Sequence, residues 1–87
     1  MSKQTSKNEI DRIVLQELRR IAKLSDRVDL SDETHLFKAG ILSSLGFMEL
    51  VVSIENNLDV QIDFSDTDPS AFLKLGGFKA LVVKAAG

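Results

Sequence analysis

The sequence predicts an all-α domain, a bundle of three long helices and one short helix. Apolar residues recur at helical spacing in separate stretches, and no stretch reads as a plausible strand. At 87 residues the chain has room for one core and no second domain. Hydrophobic residues at 44% and charged residues at 28% give the balance of a soluble globular domain rather than a disordered one.

The first helix is expected over about residues 8–24, after a polar and flexible N-terminus at residues 1–7. Ser6 and Glu9 have the spacing of a capping box, and Ile10, Ile13, Val14, Leu18 and Ile21 then form an apolar face. Arg12, Gln16, Arg19, Arg20 and Lys23 gather on the opposite side as a solvated exterior. Glu17 falls within the apolar arc, where it belongs at a rim or beside a neighbouring Arg.

Residues 25–43 carry no helix-length pattern. Leu30, Leu36, Phe37, Ile41 and Leu42 can anchor this stretch as a long loop strapped across helix ends, with Gly40 suited to a positive-φ turn. His35 lies in the loop, where a hydrogen bond to backbone is the expected role. The second helix is expected from Ser44 to Leu58. Phe47, Leu50, Val51, Ile54 and Leu58 form one apolar stripe, and Leu45, Met48 and Val52 form a second beside it. One core-facing stripe needs an arc of about 100° or somewhat more, and this helix is apolar over roughly twice that. Burial on most sides would explain the width, as would a stripe kept for a partner.

Val60, Ile62 and Phe64 alternate as an extended linker tucking side chains inward. Asp68 and Pro69 read as a cap followed by proline at the first helical position, opening a short third helix to about Leu75. Gly76 and Gly77 interrupt the pattern before a final helix from about 77 to 85.

Composition excludes much chemistry. With no cysteine there are no disulfides, thiolate sites or cysteine nucleophiles, and one histidine cannot make a two-histidine zinc helix. Asp63, Asp66 and Asp68 lack the spacing of a calcium loop and read as solvated charges and a cap. No catalytic constellation or metal site is indicated, so the chain is not expected to be an enzyme. No apolar run approaches the roughly 18 residues of a membrane span. Charge divides unevenly: residues 1–27 carry seven Lys/Arg against four Asp/Glu, giving +3, whereas residues 28–87 carry four against nine, giving −5. No Lys or Arg lies between Lys38 and Lys74, so a partner on that half is expected to be cationic, and nucleic acid is not.

One stretch is distinctive: Gly40-Ile41-Leu42-Ser43-Ser44-Leu45-Gly46-Phe47-Met48-Glu49-Leu50-Val51. It resembles the phosphopantetheine-attachment motif of acyl carrier proteins, in which Gly precedes Asp-Ser-Leu and an apolar helix with a Glu-Leu or Gln-Leu pair. Gly40, Ser44, Leu45, Glu49 and Leu50 meet that pattern, and the order of helices and loop extends the likeness over nearly the whole chain. Gly46 makes the sequence more similar to D-alanyl and aminoacyl carriers. Ser43 departs from the family's Asp; it can cap the helix but brings no negative charge.

The resemblance implies an acyl-carrier-like four-helix bundle with a long first loop, a carrier domain over residues 8–87. It implies 4′-phosphopantetheine, drawn from coenzyme A, esterified to Ser44 and carrying an acyl or aminoacyl thioester between enzymes. Leu45, Met48 and Val52 would be the contact stripe, with Glu49, Glu55 and Asp59 steering basic partner surfaces. A phosphopantetheinyl transferase, an ATP-dependent acyl or aminoacyl ligase and an acyl or aminoacyl transferase are the partners implied, for a monomer working in the cytoplasm. A small helical adaptor, binding one partner through the same stripe without a prosthetic group, is the alternative; it has no need of the Ser44 hydroxyl.

Overall fold

The computed structural model describes residues 6–87 and forms α1 (Lys7–Ala22), α2 (Ser44–Leu58), α3 (Pro69–Phe72) and α4 (Leu75–Ala86). Four helices in this order bear out the all-α expectation. The one extended pairing among the described residues is an isolated antiparallel bridge between His35 and Lys74. Of the segment expected to be a flexible N-terminus, residues 1–5 lie outside the described residues, while Ser6 and Lys7 already begin α1.

Ser6 caps α1 by accepting from the Glu9 amide at 3.1 Å, as the capping-box spacing implies. The reciprocal arm differs, because the Glu9 carboxylate takes the Ser6 hydroxyl at 3.2 Å. The helix ends two residues sooner than its periodicity implies. Lys23 turns to φ 58°, and the Leu24 amide reaches back to the Arg19 carbonyl at 2.9 Å, which closes the helix in a left-handed cap.

The buried faces are those read from the spacing. Ile10, Val14 and Leu18 of α1 meet Phe47, Leu50, Val51 and Ile54 of α2 and Leu75, Phe78, Leu81 and Val82 of α4. Helix α1 packs on both α2 and α4, and α3 packs on α4. Lys79 ties three segments together, with its ammonium 2.5 Å from Asp11 on α1 and 3.1 Å from Asp32 in the long loop. Burial pulls its pKa down, but the hydrogen bonds to the two carboxylates outweigh this and leave it raised.

The last two helices depart from their expected bounds for one tertiary reason. The Leu36 amide donates to the Leu73 carbonyl at 2.8 Å, Leu75 to Thr34 at 2.9 Å and Gly76 to Asp32 at 2.9 Å. The long loop thus takes the backbone groups that would continue α3, which stops at Phe72. Helix α4 starts at Leu75, so the two glycines lie inside its first turn rather than before it. Gly77 is required there: a Cβ would stand 1.8 Å from the Ala71 carbonyl oxygen, where α3 crosses. Proline at the first position of α3 and the Asp68 carboxylate accepting from the Ser70 amide are as the sequence implies.

The loop's expected anchors hold it down. Leu36 and Leu42 are buried and Leu30, Phe37 and Ile41 pack partly against the core. Gly40 adopts φ 74°, and the amides of Ile41 and Leu42 both turn back to the Leu36 carbonyl. His35 is spent locally, its Nδ1 accepting from the Phe37 and Lys38 amides at 3.3 and 3.0 Å. Ile62 is buried in the linker after α2, with Val60 and Phe64 half-buried.

Candidate functional site

The loop delivers the chain to α2 through Leu42, whose burial fixes where the helix begins. Ser43 is the N-cap, extended at φ −84° and ψ 175°, with Oγ accepting from the Gly46 amide at 3.1 Å. Its carbonyl accepts from Phe47 at 2.9 Å. Ser44 is the first helical residue, exposed, and among the described residues its hydroxyl has no hydrogen-bond partner. The two adjacent serines are therefore unlike: one hydroxyl is committed to the helix and the other stands free. The amides of Ser44 and Leu45 have no intrahelical acceptor, so they add partial positive charge at the helix mouth.

Phe47 holds this end of α2 in place. Its ring lies 5.8 Å from Phe37, 6.1 Å from Phe64, 5.9 Å from Phe72 and 5.5 Å from Phe78, so all five phenylalanines meet around it. The loop, the linker, α3 and α4 each contribute one ring. Composition registers five Phe but carries no signal that they converge.

The second stripe of α2 stays outside the core. Leu45 is 71% exposed, Met48 57% and Val52 50%, three of the four large exposed apolar residues among those described. The width of the apolar arc is thus divided: Phe47, Leu50, Val51 and Ile54 face inward and the stripe faces out. Glu49 is exposed beside the stripe. Glu55, the other helix acid expected to steer partners, accepts through Oε2 from the Ile62 amide at 2.8 Å. That bond fastens the linker to the end of α2, while Asp59 closes the helix at φ 53°.

Along its α1 side the stripe borders an open groove of about 460 Å³ lined by Arg20, Ile21, Met48, Glu49, Val52, Ser53 and Asn56. Two of its lining residues, Arg20 and Ser53, meet at the Glu17 carboxylate. Arg20 donates to it through Nη2 at 2.6 Å and Nε at 3.2 Å, and the Ser53 hydroxyl donates to the same oxygen. The bonds from Arg20 and Ser53 hold Glu17 below its ordinary carboxylate value, against the opposing effect of burial. Pairing of Glu17 with a neighbouring Arg is as the sequence implies. The approach of Ser53 from α2 joins two polar positions on separate helices, and only the place of Ser53 in the narrow polar strip of α2 hints at it.

Two of the linker acids are used locally. Asp63 binds the amide and hydroxyl of Ser65, and Asp68 caps α3. No group of three or more His, Asp or Glu is gathered as metal ligands among the described residues. No helix among them is long and apolar enough to cross a membrane.

The arrangement offers an exposed, unengaged hydroxyl on Ser44 at the mouth of α2. The unpaired amides of Ser44 and Leu45 beside it suit a negatively charged group. The chain is 42% identical over 43 residues to the D-alanyl carrier proteins of Streptococcus sanguinis (strain SK36), Streptococcus gordonii (strain Challis) and Streptococcus mutans serotype c, covering 49% of this chain and 53% of each relative. The chain thus spans about half the length of the curated relatives it matches. No solved structure matches it. A family profile described as a phosphopantetheine attachment site matches residues 12–68, from within α1 through the long loop, α2 and the linker to the cap of α3. Because that match takes in the whole of the site and most of the chain, the protein belongs to the phosphopantetheine-attachment family, whose members carry this group covalently.

Proposed function

We propose that this protein is a carrier that holds an acyl or aminoacyl group on 4′-phosphopantetheine attached to Ser44. The observation that carries the reading is the contrast between the neighbouring serines: Ser43 Oγ is engaged by the Gly46 amide, while Ser44 Oγ is exposed and unengaged. Esterifying Ser43 would sacrifice a cap worth about 1 kcal/mol, whereas Ser44 gives up nothing the helix uses. The bound group supplies a thiol that the cysteine-free chain lacks, and with it the thioester chemistry.

The chain's own residues position that group and present it. The buried Phe47 cluster fixes the mouth of α2, and Leu45, Met48 and Val52, with Glu49 beside them, form the face met by a modifying phosphopantetheinyl transferase, a loading ligase and a receiving transferase. Resemblance to the D-alanyl carrier proteins favours an amino acid or similarly short cargo. In this reading the protein presents cargo to its partners, and the Ser44 hydroxyl serves as a point of attachment.

Intact mass after incubation with coenzyme A and a panel of phosphopantetheinyl transferases tests the assignment. One phosphopantetheine should be gained by the native chain and by Ser43→Ala, and none by Ser44→Ala. An adduct kept in Ser44→Ala and lost in Ser43→Ala would move the attachment point. No adduct with any transferase would favour an adaptor that uses the same apolar stripe without a prosthetic group.

A further inference from the structure

A group tethered at Ser44 has two apolar regions within reach, the interior of the bundle and the outer stripe of α2. Ser44 lies between them on the helix, with the buried Phe47 one turn on toward the core and the exposed Leu45 and Met48 on the outward side. The inward way is filled by rings. Phe47 meets Phe37, Phe64, Phe72 and Phe78 at centroid distances between 5.5 and 6.1 Å, and Phe64 meets Phe72 at 4.8 Å. These are the separations of aromatic rings in contact. Phe78 is fully buried, while Phe37, Phe64 and Phe72 are half-buried and form a rim. An alkyl chain needs about 4 Å between its carbons and their neighbours on each side, so it would enter only by parting rings that already touch.

We infer that Phe47 is a specificity-determining residue of the carrier: it closes the bundle to the cargo, so that the acyl or aminoacyl group stays outside and a long apolar chain gains no shelter from the protein. The inference rests on the carrier reading above, and it narrows the cargo to short or polar acyl groups on grounds that owe nothing to relatives. The outer stripe is no substitute for an interior. Leu45, Met48 and Val52 are 50–71% exposed on the convex surface of a helix, and they could cover a chain on one side only. A long chain left there keeps most of its methylenes in water, at a cost that grows with each one. An amino acid or short acyl group has few methylenes to bury and loses little. Its thioester also stays open to a partner, with no step of withdrawal from a core.

The test loads the full chain from acetyl-, hexanoyl- and decanoyl-coenzyme A with a broad-specificity phosphopantetheinyl transferase, run to completion. Each thioester is then cleaved by hydroxylamine, which takes the acyl group as a hydroxamate and frees the thiol. The rate is divided by that of the same acyl group on coenzyme A. For the native chain this ratio should stay within about twofold from acetyl to decanoyl. Phe47→Ala should slow cleavage of the decanoyl thioester by about fourfold or more, the factor expected from burying one methylene, and leave the acetyl thioester unchanged. A purely structural role for Phe47 would lower the melting temperature of every loaded form alike and leave the ratios flat. A folded Phe47→Ala with flat ratios therefore overturns the inference. If Phe47→Ala does not fold, Phe47→Leu takes its place, and the native profile decides by itself: flat ratios support the inference, and about fourfold protection of the decanoyl thioester overturns it. Any of these results leaves the attachment reading standing, since adduct still forms; absence of adduct in the native chain removes both.

Discussion

Single residues at this site owe their roles to what their neighbours have already claimed. Ser43 and Ser44 are chemically identical, yet the helix uses one hydroxyl and leaves the other. Glu17 shows the same dependence in its titration. Its folded pKa lies below the ordinary 4.5 because Arg20 and Ser53 donate to the ionised form. A lowered carboxylate stabilises the fold fully above the unfolded value, and that contribution is lost as pH falls below about 4.5 through the folded value. Glu17→Gln should therefore cost about 1 kcal/mol at pH 7 by urea unfolding, and the gap from the native chain should close as pH is lowered below about 4. A gap that stays constant or widens in acid would show that the Glu17 charge is not what binds α1 to α2. Pairing of Glu17 with a neighbouring arginine was one of the two places its spacing allowed; Ser53 was not legible, because it is 36 residues away and speaks only through the packing of two helices.

Among the elements, α2 divides its broad apolar surface between the core and the outside. Sequence periodicity shows that the surface is broad but leaves open which half is buried, since both stripes consist of the same kinds of residue. Packing decides it, through α1 on one flank and the phenylalanine cluster on the other. Met48 tests the division. At 57% exposure, Met48→Arg should leave ellipticity at 222 nm unchanged and, if the stripe is the docking face, slow phosphopantetheine transfer by about tenfold. Loss of helicity would instead place Met48 in the core. The first loop behaves as an element in its own right despite lacking regular structure. Its anchors were readable as isolated apolar letters, and its hydrogen bonds to residues 73–76 were not, because backbone groups carry no side-chain signature.

For the whole molecule, the junction of α3 and α4 is where local preference yields to assembly. The sequence pattern has α3 running to about residue 75 and the glycines as a break. The structure instead lets the long loop cap α3 early and uses Gly77 to bring α4 against it. Gly77→Ala would drive a methyl into the Ala71 carbonyl, so it should cost about 3 kcal/mol and lower the melting temperature by more than about 10 °C. A change of only a degree or two would mean that the α3–α4 contact yields easily. The same junction, with the Lys79 bridge from Asp11 to Asp32, holds the loop that delivers Ser44 to its place.

The sequence by itself determined the four helices, the span of α2, the anchors of the loop and the stretch around Ser44 that marks the family. These depend on periodicity, capping residues and local spacing, which neighbouring letters encode. Only the tertiary structure decided which stripe of α2 is exposed, where α3 stops and why Arg20 stands beside Glu49. Those outcomes come from competition between distant groups for the same hydrogen bonds and the same buried volume, and such competition is resolved only when the helices pack.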